Sequence, residues 1–493
     1  MYNLSKSRYC EGFQCLKILW LNKNKPEVAE EQDNEALFKQ GAEVGELARG
    51  LFGEYKIIEF DQGFANMIKE TEEEIKKGTE IIAEATFSFE NNFCMVDILK
   101  NDDGVLDIYE VKSSTSVKDI NLEDLAYQYY VLNALGYKIN SINLVYINNQ
   151  YYKDGEIDLE KFFKIEDLTE VVIEKQSDVK LRIESIVKYL TKEEEPEKDI
   201  GTYCSDPYDC KYWQYCTRNL PKPNIFDISG PQTTTKFKYY YNGMVSFEDL
   251  RNSDLKEKYL EQVIFELDDL PPKVEKEAIK KFLDGLYYPL YFLDFETFSP
   301  AIPLYDNTKA YMKVPFQYSV HYLEEAGGEL KHAEFLGNPN EDPRAEVAIK
   351  LAELIPPNAC VLAYNMPFEK SIIEKLVDFT NLSSDVLIRL ENIHDNIQDL
   401  MTIFQKRNYY AKEFEGSYSI KAVLPTLFPN DPDLDYKKLD LIHDGNEAMN
   451  IYPQMINMNE KEAQQYRQAL MEYCRLDTLA MVKIWEKLKE LSK

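Results

Sequence analysis

Apolar and polar positions alternate most clearly between Thr86 and Ser113. There FCMVDILK and VLDIYEVK flank a turn at Asn101–Gly104 and predict a strand hairpin. Upstream, residues 1–22 read as a short amphipathic helix and Asn34–Phe52 as a charged one. Downstream, the pattern predicts a helix over Leu122–Leu135, a strand over Ile142–Ile147, and acidic helical sequence over Glu160–Glu197 that ends around Pro196. Residues 217–285 carry Pro221, Pro223, Pro231, Pro271 and Pro272 around a charged helical stretch, which predicts a connector without a core. A strongly apolar strand, Pro289–Phe298, then ends in acids. Strands follow over Val314–Leu323, Leu330–Leu336 and Cys360–Tyr364, and helices over Ala345–Leu354, Glu369–Val377 and Glu460–Leu491. No internal repeat interrupts this order.

Strands alternating with helices on a 493-residue chain predict an α/β protein of more than one domain: residues 1–220, a partly helical connector over 221–285, and residues 286–493. Apolar residues make up 44%, enough for real cores despite a net charge of −30. No run of about 18 apolar residues occurs, and the first residues lack the layout of a signal peptide, so the expectation is a cytoplasmic protein without a membrane span. Neither half is globally basic, so any nucleic-acid contact has to come from a local groove or through metal ions.

Asp294 and Glu296 lie two apart in a strand and so share a face. Two carboxylates on one face after an apolar run call for a cation, and Mg²⁺ or Mn²⁺ suits such oxygens. The next strand-to-helix segment carries Asn365 and Glu369; the last helix carries Tyr473 and Asp477 one turn apart. The order Asp-x-Glu-Thr, Asn-x-x-Phe-Glu, Tyr-x-x-x-Asp-Thr resembles the DEDD exonucleases, the DnaQ-like family with an RNase H fold, in their tyrosine subtype. The resemblance implies a two-metal site of Asp294, Glu296, Glu369 and Asp477, with Tyr473 orienting the attacking water. The family usually has Asp where this chain has Glu369, and Asp399 is an alternative carboxylate. Gly416–Lys421 enters a helix and reads either as an ordinary helix start or as a phosphate-holding loop.

In the first half, Asp97 lies on one strand of the predicted hairpin, Glu110 and Lys112 share a face of the other, and Gln128 follows on a helix. This resembles the PD-(D/E)xK core of RecB-like nucleases, in which Asp97 and Glu110 would bind metal, Lys112 would polarise water or phosphate, and Gln128 would support the site. Where that family often supplies a His ligand this chain has Gly45, with Glu43 or Glu46 as stand-ins. Cys204, Cys210 and Cys216 follow one another with five residues between each pair, with Cys15 far upstream. One early and three late cysteines resemble the iron–sulfur RecB-like nucleases of the AddB type. That likeness implies a [4Fe–4S] staple, although four thiolates alone suit Zn²⁺ as well. Cys10, Cys94, Cys360 and Cys474 read as buried thiols, and His321, His332, His394 and His443 as structural.

Together the two halves resemble a little-characterised bacterial family that fuses an iron–sulfur RecB-like region to a DEDD exonuclease. The resemblance implies a DNA-processing nuclease, with repair or phage defence as its setting. An RNA 3′→5′ exonuclease is the alternative, as is an amino-terminal half that binds nucleic acid without cutting it.

Overall fold

The structure, a computed structural model, describes residues 3–31, 35–379 and 381–493. Asn34, the expected start of the charged helix, lies outside the described residues, as do Met1 and Tyr2. The chain is a mixed α/β protein that divides into two units: residues 1–219 with Pro300–Tyr311, and Leu220–Ser299 with Met312–Lys493.

Unit 1 is built on a seven-stranded mixed sheet. Its strands are β1 (Leu4–Ser5), β2 (Lys56–Ile57), β3 (Ile81–Phe89), β4 (Asn92–Asp102), β5 (Val105–Lys112), β6 (Lys138–Ile147) and β7 (Phe163–Asp167). The β4–β5 turn forms because Asp103 and Gly104 both take positive φ (48° and 84°), and the Asn101 side chain accepts the Gly104 N–H at 2.9 Å. β6 returns parallel to β5 by way of the helix Asp119–Ala134.

Two expectations fail here. The single helix over 1–22 is instead β1 and two helices, Lys6–Gln14 and Leu16–Asn24, because Cys15 is extended (φ −160°, ψ 118°) and breaks the turn between them. The acidic stretch after Glu160 holds an edge strand, β7, where Phe162 and Phe163 turn into the core before the helix Gln176–Leu190.

Residues Pro300–Tyr311 belong to unit 1 although they connect two strands of unit 2. Ala301 and Ala310 are buried with Val145, Ile147 and Phe162, and Asp306 accepts from Lys153 Nζ at 2.7 Å.

Unit 2 contains β8 (Lys273–Val274), β9 (Leu290–Phe298), β10 (Val314–Leu323), β11 (Lys331–Leu336), β12 (Cys360–Ala363), β13 (Ile397–Asp399) and β14 (Tyr409–Tyr410). The main sheet runs β11-β10-β9-β12-β13; β9 to β11 are antiparallel, while β12 and β13 run parallel to β9. Strand alternation divides β9. Tyr291, Leu293 and Phe295 enter one core with Val347, Leu351 and Ile372, whereas Phe292, Asp294 and Glu296 face the last helix, Glu460–Leu491.

The expected connector over 221–285 is also corrected. Ile225, Ile228, Tyr239, Phe247, Leu250, Leu255 and Val263 form a core of their own, and β8 pairs with β14. Its prolines sit in turns between short helices, so burial outweighs the linker-like composition. Among the described residues no helix is long and apolar enough to cross a membrane.

Candidate functional site

Unit 2 brings its predicted acids together. β9 supplies Asp294 and Glu296, the last helix supplies Tyr473 and Asp477, and the helix Met366–Val377 supplies Glu369 from its first turn. That helix begins at Asn365, whose left-handed backbone (φ 81°) turns the chain out of β12 and aims Glu369 inward. Glu369 is 1% exposed, and its Oε2 has no hydrogen-bond partner. Asp399 is spent elsewhere. It accepts the N–H groups of Asn365 (3.2 Å) and Met401 (3.0 Å), and so holds the turn that places Glu369.

Three side chains and one glycine of this site had no sequence reading as part of the acid cluster. Tyr436 donates to Asp477 Oδ1 at 2.5 Å. Cys474, expected only as a buried thiol, lies 3.8 Å from Asp294 Oδ2, and the ligand atoms of Asp294, Glu296 and Cys474 all lie within 4.8 Å of one another. Lys421 acts on both Glu296 and Asp477, with its Nζ 5.9 Å from the Tyr436 ring. At Gly445 a Cβ would stand 3.8 Å from both Glu296 Oε2 and the Tyr473 hydroxyl, so the chain passes close by. Only Cys474 and Lys421 could have been suspected from their nearness to the motifs. Tyr436 opens a single 3-10 turn, Tyr436–Lys438, too short to show a period.

Burial, reinforced by the neighbouring acids, holds Asp294, Glu296 and Glu369 well above the usual carboxylate range. Burial also raises Asp477, to about 6, against the pull of Tyr436, Lys421 and Tyr473. Beneath the last helix, Thr478 Oγ1 contacts Ser319 Oγ and His321 Nδ1, each at 2.8 Å. Burial lowers His321 to about 3 and His332 to about 4, so both are neutral struts. His394 and His443 lie beside surface acids.

Unit 1 gathers its own set. Asp97 on β4, Glu110 and Lys112 on β5, and Gln128 on the following helix line one charged cluster. Gln128 Nε2 donates to Glu110 Oε2 at 2.7 Å, and Lys112 Nζ to Glu110 Oε1 at 2.6 Å. Asp124 and Lys6 join them without having been predicted. Asp124 accepts from Lys112 at 2.8 Å, and Lys6 Nζ lies 2.7 Å from Glu110 Oε1. Burial favours a neutral Lys6, but Asp124, Asp97 and Glu110 outweigh it and keep the ammonium.

The cluster opens on a groove of about 1520 Å³ lined by Gly41, Gly45, Glu46 and Arg49. Gly45 brings no ligand side chain there. Glu46 lines the groove, whereas Glu43 is exposed and does not. Glu84, at φ 57° in β3, is turned toward Asp97 and pairs with Arg49 at 2.6 Å.

The four predicted cysteines also meet. Cys15 sits in the extended break between two helices, Cys204 in a short turn, and Cys216 in the helix Trp213–Thr217; Cys210 N donates to Cys204 O at 2.9 Å. Cys15, Cys210 and Cys216 pack around Ile18, Trp20, Leu21 and Tyr212, and all three act electrostatically on Cys204. Burial pushes Cys204 up to about 12 and Cys210 to about 11. Gln14 and Asn22 bond to Tyr203 and Tyr212, tying the same two chain segments.

The profile of a family described as a domain of unknown function (DUF2779) matches residues 291–419. The match takes in Asp294, Glu296 and Glu369 and stops short of Tyr473 and Asp477. No curated protein matches the chain.

Proposed function

We propose that unit 2 is a metal-dependent 3′→5′ exonuclease of the DnaQ-like kind, hydrolysing phosphodiesters at the 3′ end of DNA. The sheet order, three antiparallel strands followed by two parallel to β9, supports an RNase H-like fold. The observation that carries the reading is the meeting of Asp294, Glu296, Glu369 and Asp477 in one buried place. Glu369 Oε2 is left unpartnered, and Lys421 and Lys313 act on the group only from a distance. Buried carboxylates without counter-charge are costly. A set of carboxylate oxygens fits Mg²⁺ or Mn²⁺, which Asp294, Glu296, Glu369 and Asp477 would hold. When bound, two such ions supply charge stabilisation at the attacking and leaving oxygens.

The chain's own groups do the positioning. Tyr473 orients a water, Tyr436 fixes the Asp477 carboxylate, and Lys421 with the loop Gly416–Ser419 steadies a terminal phosphate. End-labelled DNA and RNA of matched sequence, with Mg²⁺, Mn²⁺ or chelator, tests this. Chelator-sensitive release of 5′-mononucleotides from the 3′ end, faster on DNA, is expected. Degradation that persists in Asp477→Asn sinks the reading, and faster release from RNA moves it to the other polymer.

For unit 1 we propose a RecB-like module whose first and last segments are stapled by a [4Fe–4S] cluster on Cys15, Cys204, Cys210 and Cys216. A single tetrahedral Zn²⁺, with Zn–S of about 2.3 Å, needs sulfurs roughly 3.8 Å apart. Four thiolates suit either metal centre, and the likeness to iron–sulfur RecB-like nucleases is what favours the cluster. The pathway, repair or phage defence, rests on the family likeness alone.

A further inference from the structure

The two acid clusters differ in one respect that decides what each can hold. In unit 2 a buried carboxylate oxygen, Glu369 Oε2, has no partner. In unit 1 most of the acid charge is compensated from within. Lys6 Nζ donates to both oxygens of Glu110, at 2.7 and 2.9 Å, and stands 3.7 Å from Asp97 Oδ1. Lys112 bridges Glu110 and Asp124 at 2.6 and 2.8 Å. Gln128 covers Glu110 Oε2 and Asp124 Oδ1 at 2.7 and 3.0 Å, and Val111 N–H covers Asp97 Oδ2 at 2.7 Å. Three carboxylates thus face two ammonium groups and an amide.

Lys6 is held in place by its own backbone. Leu4 and Ser5 pair with Asn92 and Phe93 of β4, the Tyr127 hydroxyl donates to Leu4 O, and Ser5 caps the helix by accepting the Arg8 N–H at 3.2 Å. The lysine enters the cluster at its first helical position and is not a free surface arm. A divalent ion on Asp97 and Glu110 would have to sit against that ammonium. Gly45, where the family often places a His ligand, offers no side chain.

We infer that Lys6 is the resident cation of unit 1: its ammonium occupies the place between Asp97 and Glu110 that a divalent metal would take, and this cluster is metal-free. Unit 1 then has no metal-dependent cutting of its own. The inference rests on taking Asp97 and Glu110 as the metal position of a RecB-like site. It is independent of the exonuclease reading of unit 2.

The test is equilibrium dialysis against Mn²⁺ of the full chain with unit 2 disabled by Asp294→Asn and Asp477→Asn. With Lys6 intact, no Mn²⁺ that depends on Asp97 is expected. Lys6→Met should then gain one Mn²⁺ at least about tenfold more tightly, the scale on which one neighbouring group alters metal affinity. Adding Asp97→Asn should remove it again.

Retention of one Mn²⁺ by the Lys6-intact chain, lost on Asp97→Asn, overturns the inference. So does a folded Lys6→Met chain that gains none. If Lys6→Met does not fold, the Lys6-intact chain with and without Asp97→Asn decides alone.

Discussion

The hydroxyl of Tyr436 donates a 2.5 Å hydrogen bond to Oδ1 of Asp477, the carboxylate one helical turn after Tyr473. A hydrogen bond to a charged group is worth about 1.5–3 kcal/mol. Tyr436→Phe removes it and keeps the ring. Single-turnover cleavage should slow by roughly 10- to 100-fold, at about 1.4 kcal/mol per tenfold. An unchanged rate would mean that the bond does not hold Asp477 for catalysis.

Removing an acid should cost more than removing a hydroxyl that orients one. Asp294→Ala and Asp477→Asn should each lose about three or more orders of magnitude, since metal charge acts on both the attacking and leaving oxygens. Tyr473→Phe should lose about 10- to 1000-fold. Thermal melts run alongside should show little loss of fold. Parallel collapse of activity and melting temperature would assign these acids to structure.

The same acids should make metal-free stability depend on pH. Asp477 is raised from 3.8 to about 6, and its neighbours are raised too. A raised folded-state value means that the contribution is present below about 4 and is lost as pH rises through about 6. For Asp477 the loss is about 3 kcal/mol at about 1.4 per unit. In chelator, Asp477→Asn should therefore melt at or above wild type by pH 8 and lose that advantage at pH 4. Mn²⁺ should stabilise the wild type most at the high end. A difference that does not vary with pH would contradict this.

The proposed cysteine staple predicts brown, iron-containing protein when purified anaerobically. Cys210→Ser should lose the iron and destabilise unit 1, because metal-ligand binding is folding free energy. Colourless protein with one zinc per chain would rule out the iron–sulfur reading.

Gly416→Ala probes how the loop beside Lys421 is held. Gly416 has φ 76°, and a Cβ there would run into the Gln262 side chain and Ser229. Gln262 accepts from Ser229 N at 3.1 Å and donates to Asp227 O at 3.0 Å, so it cannot yield freely. The substitution should cost more than about 1 kcal/mol, read as a lower melting temperature. An unaltered melt would show that the loop is not pinned there.

Much of this protein was legible in its sequence wherever the relevant interaction is local. The β4–β5 hairpin follows from alternation and an Asn-Asp-Asp-Gly turn. The sharing of a face by Asp294 and Glu296, or by Tyr473 and Asp477, follows from the periods of strand and helix. The break at Cys15 was not legible, because the apolar pattern runs on through it although the residue is extended. Only the tertiary structure decided the rest. Glu369 rather than Asp399 faces the acids, since Asp399 is consumed by the Asn365 and Met401 amides. Residues 221–285 have a core because their apolar side chains meet one another across short helices, which composition does not record. Lys6 reaches Glu110 across more than a hundred residues of chain, and Tyr436 reaches Asp477 from a single 3-10 turn. Contacts between distant segments leave no period in a sequence, because packing sets them and local propensity does not.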